Sequence, residues 1–282
     1  MKRNSKKYNT YFDNVKTNKK TKEKKIFQYN NNNGVLKTNQ IVIFGKHSIL
    51  SALNNKNRKL HYLITTNTNF SKWKNEINQL KLNLNIKVKT KEEMDKINNY
   101  KSHQNAILVT EPLQRVSMDE FLSNLSFNDK IPTRLILLDE VTDPQNVGAI
   151  IRSALAFKID GLALSKRNSP QETSALIKAS SGAIEKLSII ELSNMSREIK
   201  RLQKHNFSIY GLAGDGEKDI YELEYETGNV ALILGSEGKG LRRLTRENVD
   251  CLIKIPINEE LGSLNVSNAA SIAMFQLQKK IL

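Results

Sequence analysis

Three stretches of this chain set polar side chains among glycines and small residues where loops run into helices. The first is Leu137 to Ala154, with Asp143-Pro144-Gln145-Asn146 ahead of Val147-Gly148, and Arg152 six residues beyond Asn146. The second is Leu232 to Leu241, carrying Gly235-Ser236-Glu237-Gly238-Lys239-Gly240. The third is Leu261 to Phe275, opening on Leu261-Gly262-Ser263-Leu264-Asn265. The glycine run invites a phosphate-loop reading, but it lacks the Walker spacing and the Lys-Ser/Thr ending, which excludes ATP hydrolysis. No Gly-x-Gly-x-x-Gly follows the strand at Leu137, so an ordinary Rossmann pocket is excluded as well. The glycines instead permit a sharp bend and close approach of another backbone segment. Arg152 falls in a helix with Val147, Ile150, Ile151 and Leu155, where it is either an exposed-face residue or a functional one. Ser263 and Asn265 are both N-cap types. His47, His61, His103 and His205 have no ligand spacing, so no metal site is expected.

The elements that must position these groups follow from periodicity. Val266, Ala270, Ala273 and Leu277 share one helical face, and Ile272, Met274 and Phe275 add apolar side chains elsewhere. On its own that stretch reads first as a C-terminal core helix buried on more than one side. Near-continuous apolar strands at 134–139, 161–164, 187–191, 208–213, 230–234 and 251–255 alternate with helices at 147–157, 171–180, 193–205 and 241–248. Such runs predict a parallel sheet buried on both faces. A smaller α/β unit precedes it, with strands at 41–45, 60–65, 86–88 and 106–110 and helices at 47–54, 70–80 and 91–97. The expected organisation is a disordered basic arm over 1–38, a first domain over 39–111, a linker over 112–132 with a short helix at 118–125, and a second domain over 133–282.

The net charge of +15 suits a polyanion, and +9 of it lies in the first 38 residues. Such an arm buries too little to order itself; it either touches phosphates without sequence preference or is a solubilising tail. The single cysteine, Cys251, excludes an internal disulfide, points to a reducing compartment and, beside Leu252 and Ile253, reads as a buried structural thiol. No apolar run approaches a membrane span and no signal-peptide core is present, so a cytoplasmic protein is expected.

Taken together and in order, the three stretches resemble the signature motifs of the SpoU/TrmH family of RNA ribose 2′-O-methyltransferases. The resemblance covers roughly the last half of the chain. Phe44-Gly45-Lys46-His47-Ser48-Ile49-Leu50, with Ser102-His103-Gln104, resembles the ribosomal-protein-like substrate-binding domain that precedes the catalytic domain in many members. The implied fold is a trefoil-knotted parallel sheet (the SPOUT class of α/β knot) behind a smaller RNA-gripping α/β domain. The implied cofactor is S-adenosylmethionine, held at Gly235, Ile255 and Leu264 mostly through backbone groups. The implied catalytic set is Asn146, Arg152, Glu237, Ser263 and Asn265. A guanidinium keeps its proton in proteins, so Arg152 is better cast as binding RNA phosphate and stabilising charge on the 2′-oxygen than as a base. Asn146 would fix the Arg152 loop or the ribose, Glu237 would brace the site, and Ser263 and Asn265 would hold the cofactor loop.

Two positions depart from the common pattern: Gln145 where a histidine often stands, and Asn268 where a small apolar residue is usual. The N-terminal domain resembles that of members methylating a guanosine in 23S rRNA more than the shorter tRNA enzymes. A tRNA substrate, or a catalytically silent RNA-binding or ribosome-assembly protein, are the alternatives. A homodimer is expected through the last helix, whose apolar faces exceed what one core can cover.

Overall fold

The structure, a computed structural model, describes residues 39–80, 82–97, 103–125, 132–166, 169–225, 228–258, 260 and 262–278. The arm expected over residues 1–38 lies outside them, as do Ser102 and Leu261 of the quoted motifs.

Four short apolar runs form the first sheet: β1 (Ile41–Phe44), β2 (Leu60–Thr65), β3 (Asn85–Val88) and β4 (Ala106–Thr110), in the order β1-β4-β2-β3. β4 runs antiparallel to both β1 and β2, while β2 and β3 are parallel. Helices α1 (Lys46–Asn54) and α2 (Asn67–Gln79) cover one face, packing Ile49, Leu53, Trp73 and Ile77 against Ile43 and Leu63. Helix α3 (Lys91–Ile97) covers the other, with Met94 against Ile64, Ile107 and Val109. α2 begins three residues before the expected start because Thr66 caps it, accepting the Asn69 N–H at 3.4 Å.

The second sheet has eight strands, all parallel: β5 (Val116–Ser117), β6 (Arg134–Asp139), β7 (Gly161–Ser165), β8 (Ser188–Leu192), β9 (Phe207–Leu212), β10 (Lys218–Asp219), β11 (Asn229–Gly235) and β12 (Cys251–Lys254). Their order is β10-β12-β9-β11-β6-β7-β8-β5. Alternate residues of one strand serve two cores. Ile136 and Leu138 of β6 join one cluster, Leu135 and Leu137 the other. Helix α4 (Met118–Asn124) follows β5, so part of the stretch read as linker belongs to this sheet and its second core. Helices α5 (Pro144–Ala156), α6 (Ser174–Ser180), α7 (Met195–Lys204), α8 (Arg243–Arg246) and α9 (Val266–Gln278) complete the fold. Cys251 is half-buried rather than buried, because β12 meets only the short β10 on its outer edge.

Helix boundaries around the second sheet also differ from expectation. α5 starts at Pro144 instead of Val147: Asp143 accepts the Gln145 N–H at 3.1 Å, and proline suits the first helical position. α6 starts at Ser174, capped by Thr173, instead of Gln171. Of residues 241–248 only Arg243–Arg246 are helical. Gly148 lets α5 press onto α6; a Cβ there would lie 2.5 Å from the Leu176 carbonyl oxygen.

The two sheets meet where α1 and the chain after it pack on α6 and the turn that follows it. The Arg58 side chain is fully buried and pairs with Glu172 at 2.6 Å and Glu185 at 2.5 Å. It also donates to the Glu111 carbonyl oxygen at 2.9 Å, and Asn55 Nδ2 donates to Glu185 at 2.8 Å. Gly182, at φ +85°, passes so near Ser51 that a Cβ would stand 2.3 Å from its hydroxyl.

Candidate active site

β6 and β11 are neighbours in register, so Asp139 and Gly235 lie side by side at the carboxyl edge of the sheet. That edge is where open parallel sheets place their ligands. Beyond Gly235 the chain turns on Gly238 and Gly240, both at positive φ, and closes on itself: Ser236 N–H donates to Gly240 O at 3.2 Å and Gly240 N–H to Ser236 O at 2.9 Å. A Cβ on Gly235 would sit 2.1 Å from the Gly240 carbonyl carbon, so only glycine fits there.

Asp139 is the anchor of this loop. It is fully buried and accepts the Arg242 N–H at 3.1 Å, Arg242 Nε at 2.6 Å and the Thr245 hydroxyl at 2.7 Å. A carboxylate buried with three donors is stably placed. Asp139 lies within the first motif stretch, but its only local signal is an acid closing the apolar run Leu135 to Leu138.

Asn146, Glu237 and Asn265 come together across 91 and 119 residues of sequence. Glu237 Oε1 accepts Asn146 Nδ2 at 2.8 Å and Asn265 Nδ2 at 2.6 Å, and the Val266 N–H at 3.4 Å. Asn265 Nδ2 also donates to Asn146 Oδ1 at 3.0 Å. The other end of the Asn265 amide caps α9, its Oδ1 accepting Ser267 N–H at 2.9 Å and Ser267 Oγ at 2.6 Å. Asn265 thus ties the starts of α5 and α9 to the glycine loop with one side chain.

Below this knot of hydrogen bonds lies a cavity of about 670 Å³. Gly235, Glu237, Ile255, Ser263, Leu264 and Asn265, all singled out from sequence, line it. Its apolar lining residues suit a planar base, and its volume falls in the range of small-molecule sites, about 300–1,000 Å³. The remaining two expected residues stand apart from its lining. Asn146 reaches it through Glu237. Arg152 sits on the exposed side of α5, about 9 Å further along the axis than Asn146 by helical rise. Among the described residues Arg152 has no side-chain hydrogen bond or ion pair, and Ser263 has no side-chain hydrogen bond. Among the described residues no cluster of histidine, cysteine and acids could hold a metal.

The chain belongs to the SpoU rRNA methylase family, whose profile matches residues 133–275, with an RNA 2′-O ribose methyltransferase substrate-binding domain matched over residues 42–116. It is similar to the 23S rRNA (guanosine-2′-O-)-methyltransferase RlmB of Pasteurella multocida, with 33% identity over 243 residues, 85% of this chain and 98% of that protein. The RlmB of Xylella fastidiosa (strain Temecula1) is 46% identical over 142 residues, a match spanning half of this chain and 57% of that relative's length. Among solved structures, the SpoU methyltransferase AviRb from Streptomyces viridochromogenes, in complex with AdoMet, superposes with a TM-score of 0.71 at 19% identity, covering 86% of this chain and 91% of that one.

Proposed function

We propose that the protein methylates the ribose 2′-oxygen of a guanosine in 23S rRNA, using S-adenosylmethionine bound in the cavity. One observation carries this reading: Asn265 joins Asn146 and Glu237 at the cavity that Gly235, Ile255 and Leu264 line. Similarity to RlmB proteins along 85% of the chain supports the rRNA substrate. When bound, the cofactor supplies an electrophilic methyl group on a sulfonium.

The chain's own residues position and stabilise. Backbone groups at Gly235, Ile255 and Leu264 hold the adenosine, with Ser263 and Asn265 fixing the loop they sit on. Glu237, already gripped by three N–H donors, braces that loop against α5. Arg152 is solvent-facing and unengaged among the described residues, and a planar guanidinium is suited to a phosphate and the adjoining 2′-oxygen. It keeps its proton, so the 2′-proton leaves to a phosphate oxygen or a water. Positioning and exclusion of water supply most of the acceleration. Mapping of 2′-O-methyl groups in rRNA and tRNA from cells lacking the gene tests the assignment. Loss of one guanosine mark in 23S rRNA is expected, and loss of a tRNA mark with rRNA unchanged would overturn it.

The working form is a homodimer through α9, and the compartment is the cytoplasm; no helix among the described residues is long and apolar enough to cross a membrane. Val266, Ala270, Ala273 and Leu277 are buried, whereas Ile272 and Phe275 are 41% and 53% exposed on the same helix. Phe275 packs against Phe157 in a T-shaped arrangement, with ring centroids 6.0 Å apart. Phe275→Asp is expected to lower both the mass seen by light scattering and the rate of methyl incorporation. A wild-type protein that stays monomeric at micromolar concentration and still methylates RNA would exclude the dimer.

A further inference from the structure

The cavity lining is chemically mixed. Leu212, Leu234, Ile255, Ile257 and Leu264 are its apolar members, and Asp215, Glu237, Lys239 and Arg246 supply charge. Glu237 is committed to Asn146 and Asn265. Asp215 and Arg246 pair with each other through two parallel bonds of 3.1 and 2.7 Å, the only side-chain partners either has among the described residues.

Both partners sit on backbone that is held firmly. Asp215 lies in the loop after β9, where Ala213 N–H donates to Ile253 O at 2.9 Å and Glu217 N–H to Leu252 O at 3.0 Å. Gly216 in that loop lies so close to β12 that a Cβ would stand 2.4 Å from the Ile253 carbonyl carbon. Arg246 ends α8, whose Thr245 is fastened to buried Asp139. The side chains themselves stay accessible, Asp215 at 71% and Arg246 at 32%. An ion pair so exposed adds little to stability. Arg246 holds the Asp215 carboxyl below the usual carboxylate range, so both charges are present at neutral pH.

We propose that Arg246 and Asp215 are the seat for the amino-acid end of the cofactor, the guanidinium taking its α-carboxylate and the carboxylate its α-ammonium. This rests on the reading of the cavity as the S-adenosylmethionine site. A zwitterion exchanges one ion pair for two of matching polarity, with no change in net charge. The apolar lining residues and their backbone are then left for the adenosine.

Calorimetric titration of the full chain with two probes tests this. S-adenosylhomocysteine carries the amino-acid end, and 5′-methylthioadenosine lacks it. The wild type is expected to bind both, the first more tightly; a wild type that binds neither overturns the cofactor reading itself. Asp215→Asn and Arg246→Gln should each weaken S-adenosylhomocysteine by about tenfold and leave methylthioadenosine within about twofold, which also reports an intact pocket. Arg246→Lys, keeping a cation without the fork, should fall between. Equal losses for both probes, or no loss for either in the exposed Asp215→Asn variant, would overturn the proposal and leave the pair as a latch between loop and helix.

Discussion

Replacing Arg152 with alanine is expected to abolish methyl transfer while leaving fold and cofactor binding in place. The residue is exposed, and among the described residues it contacts no partner whose loss would unsettle the structure. It sits inside α5, where alanine is the better helix former. It is also absent from the cavity lining, so cofactor affinity should hold. What goes, on the proposed function, is the cation assigned to face the RNA. Removing one stabiliser of developing negative charge costs about 10²–10³-fold in turnover. Tritiated methyl incorporation into rRNA measures the rate, and calorimetric titration with S-adenosylhomocysteine measures the pocket. Arg152→Lys should recover part of the activity, because the charge remains and the two-pronged geometry does not. Turnover at the wild-type level in Arg152→Ala would remove this residue from the catalytic set.

The second large effect is structural. Arg58→Met is expected to destabilise the protein by about 3–5 kcal/mol, the cost of leaving a buried charge without its partner. Here two carboxylates lose the same cation. Burial already raises the Glu172 carboxyl above its ordinary value of 4.5, with the Arg58 charge pulling the other way. Without Arg58 it rises further. A carboxyl raised in the folded state contributes stability that is complete below its unfolded pKa and is lost as pH rises through the folded one. The deficit of Arg58→Met should therefore be largest at neutral pH and shrink on acidification toward pH about 5. Urea midpoints at the two pH values check both the size and the sign. A deficit independent of pH would mean that neither carboxylate bears charge at the junction.

Much of this architecture is written locally. β2, β4, β6 and α3 lie where apolar runs and periodicity put them, because a strand such as Arg134–Asp139 needs nothing beyond its own residues to declare itself. The motif residues are also local signals, and six of those singled out do line one cavity. Other features depend on partners far away in the chain. The start of α5 was hidden because Asp143-Pro144 serves a turn or a helix cap equally well, and only the closed N–H bond decides. Asp139 looks like any acid at a strand end until Arg242 and Thr245 arrive from a hundred residues on. Arg58, Glu172 and Glu185 read singly as solvated charges, and only the packing of α1 on α6 buries them. The place of β5 at the far edge of the second sheet rests on two residues, too few to carry a pattern.

The junction around Arg58 and Gly182 also bears on how a target nucleotide is chosen. A small lobe on a slack tether would let a catalytic site sample many riboses near the gripped RNA. If the proposed function holds, a lobe seated through buried charges and a backbone-to-hydroxyl fit would work as a caliper with fixed jaws. The methylated position would then be a matter of distance and angle from the element held, more than of the base at that position. On that proposal, an RNA lengthened by one base pair between grip and target would carry the proposed guanosine out of reach, and a different nucleotide placed at the right span would take its place.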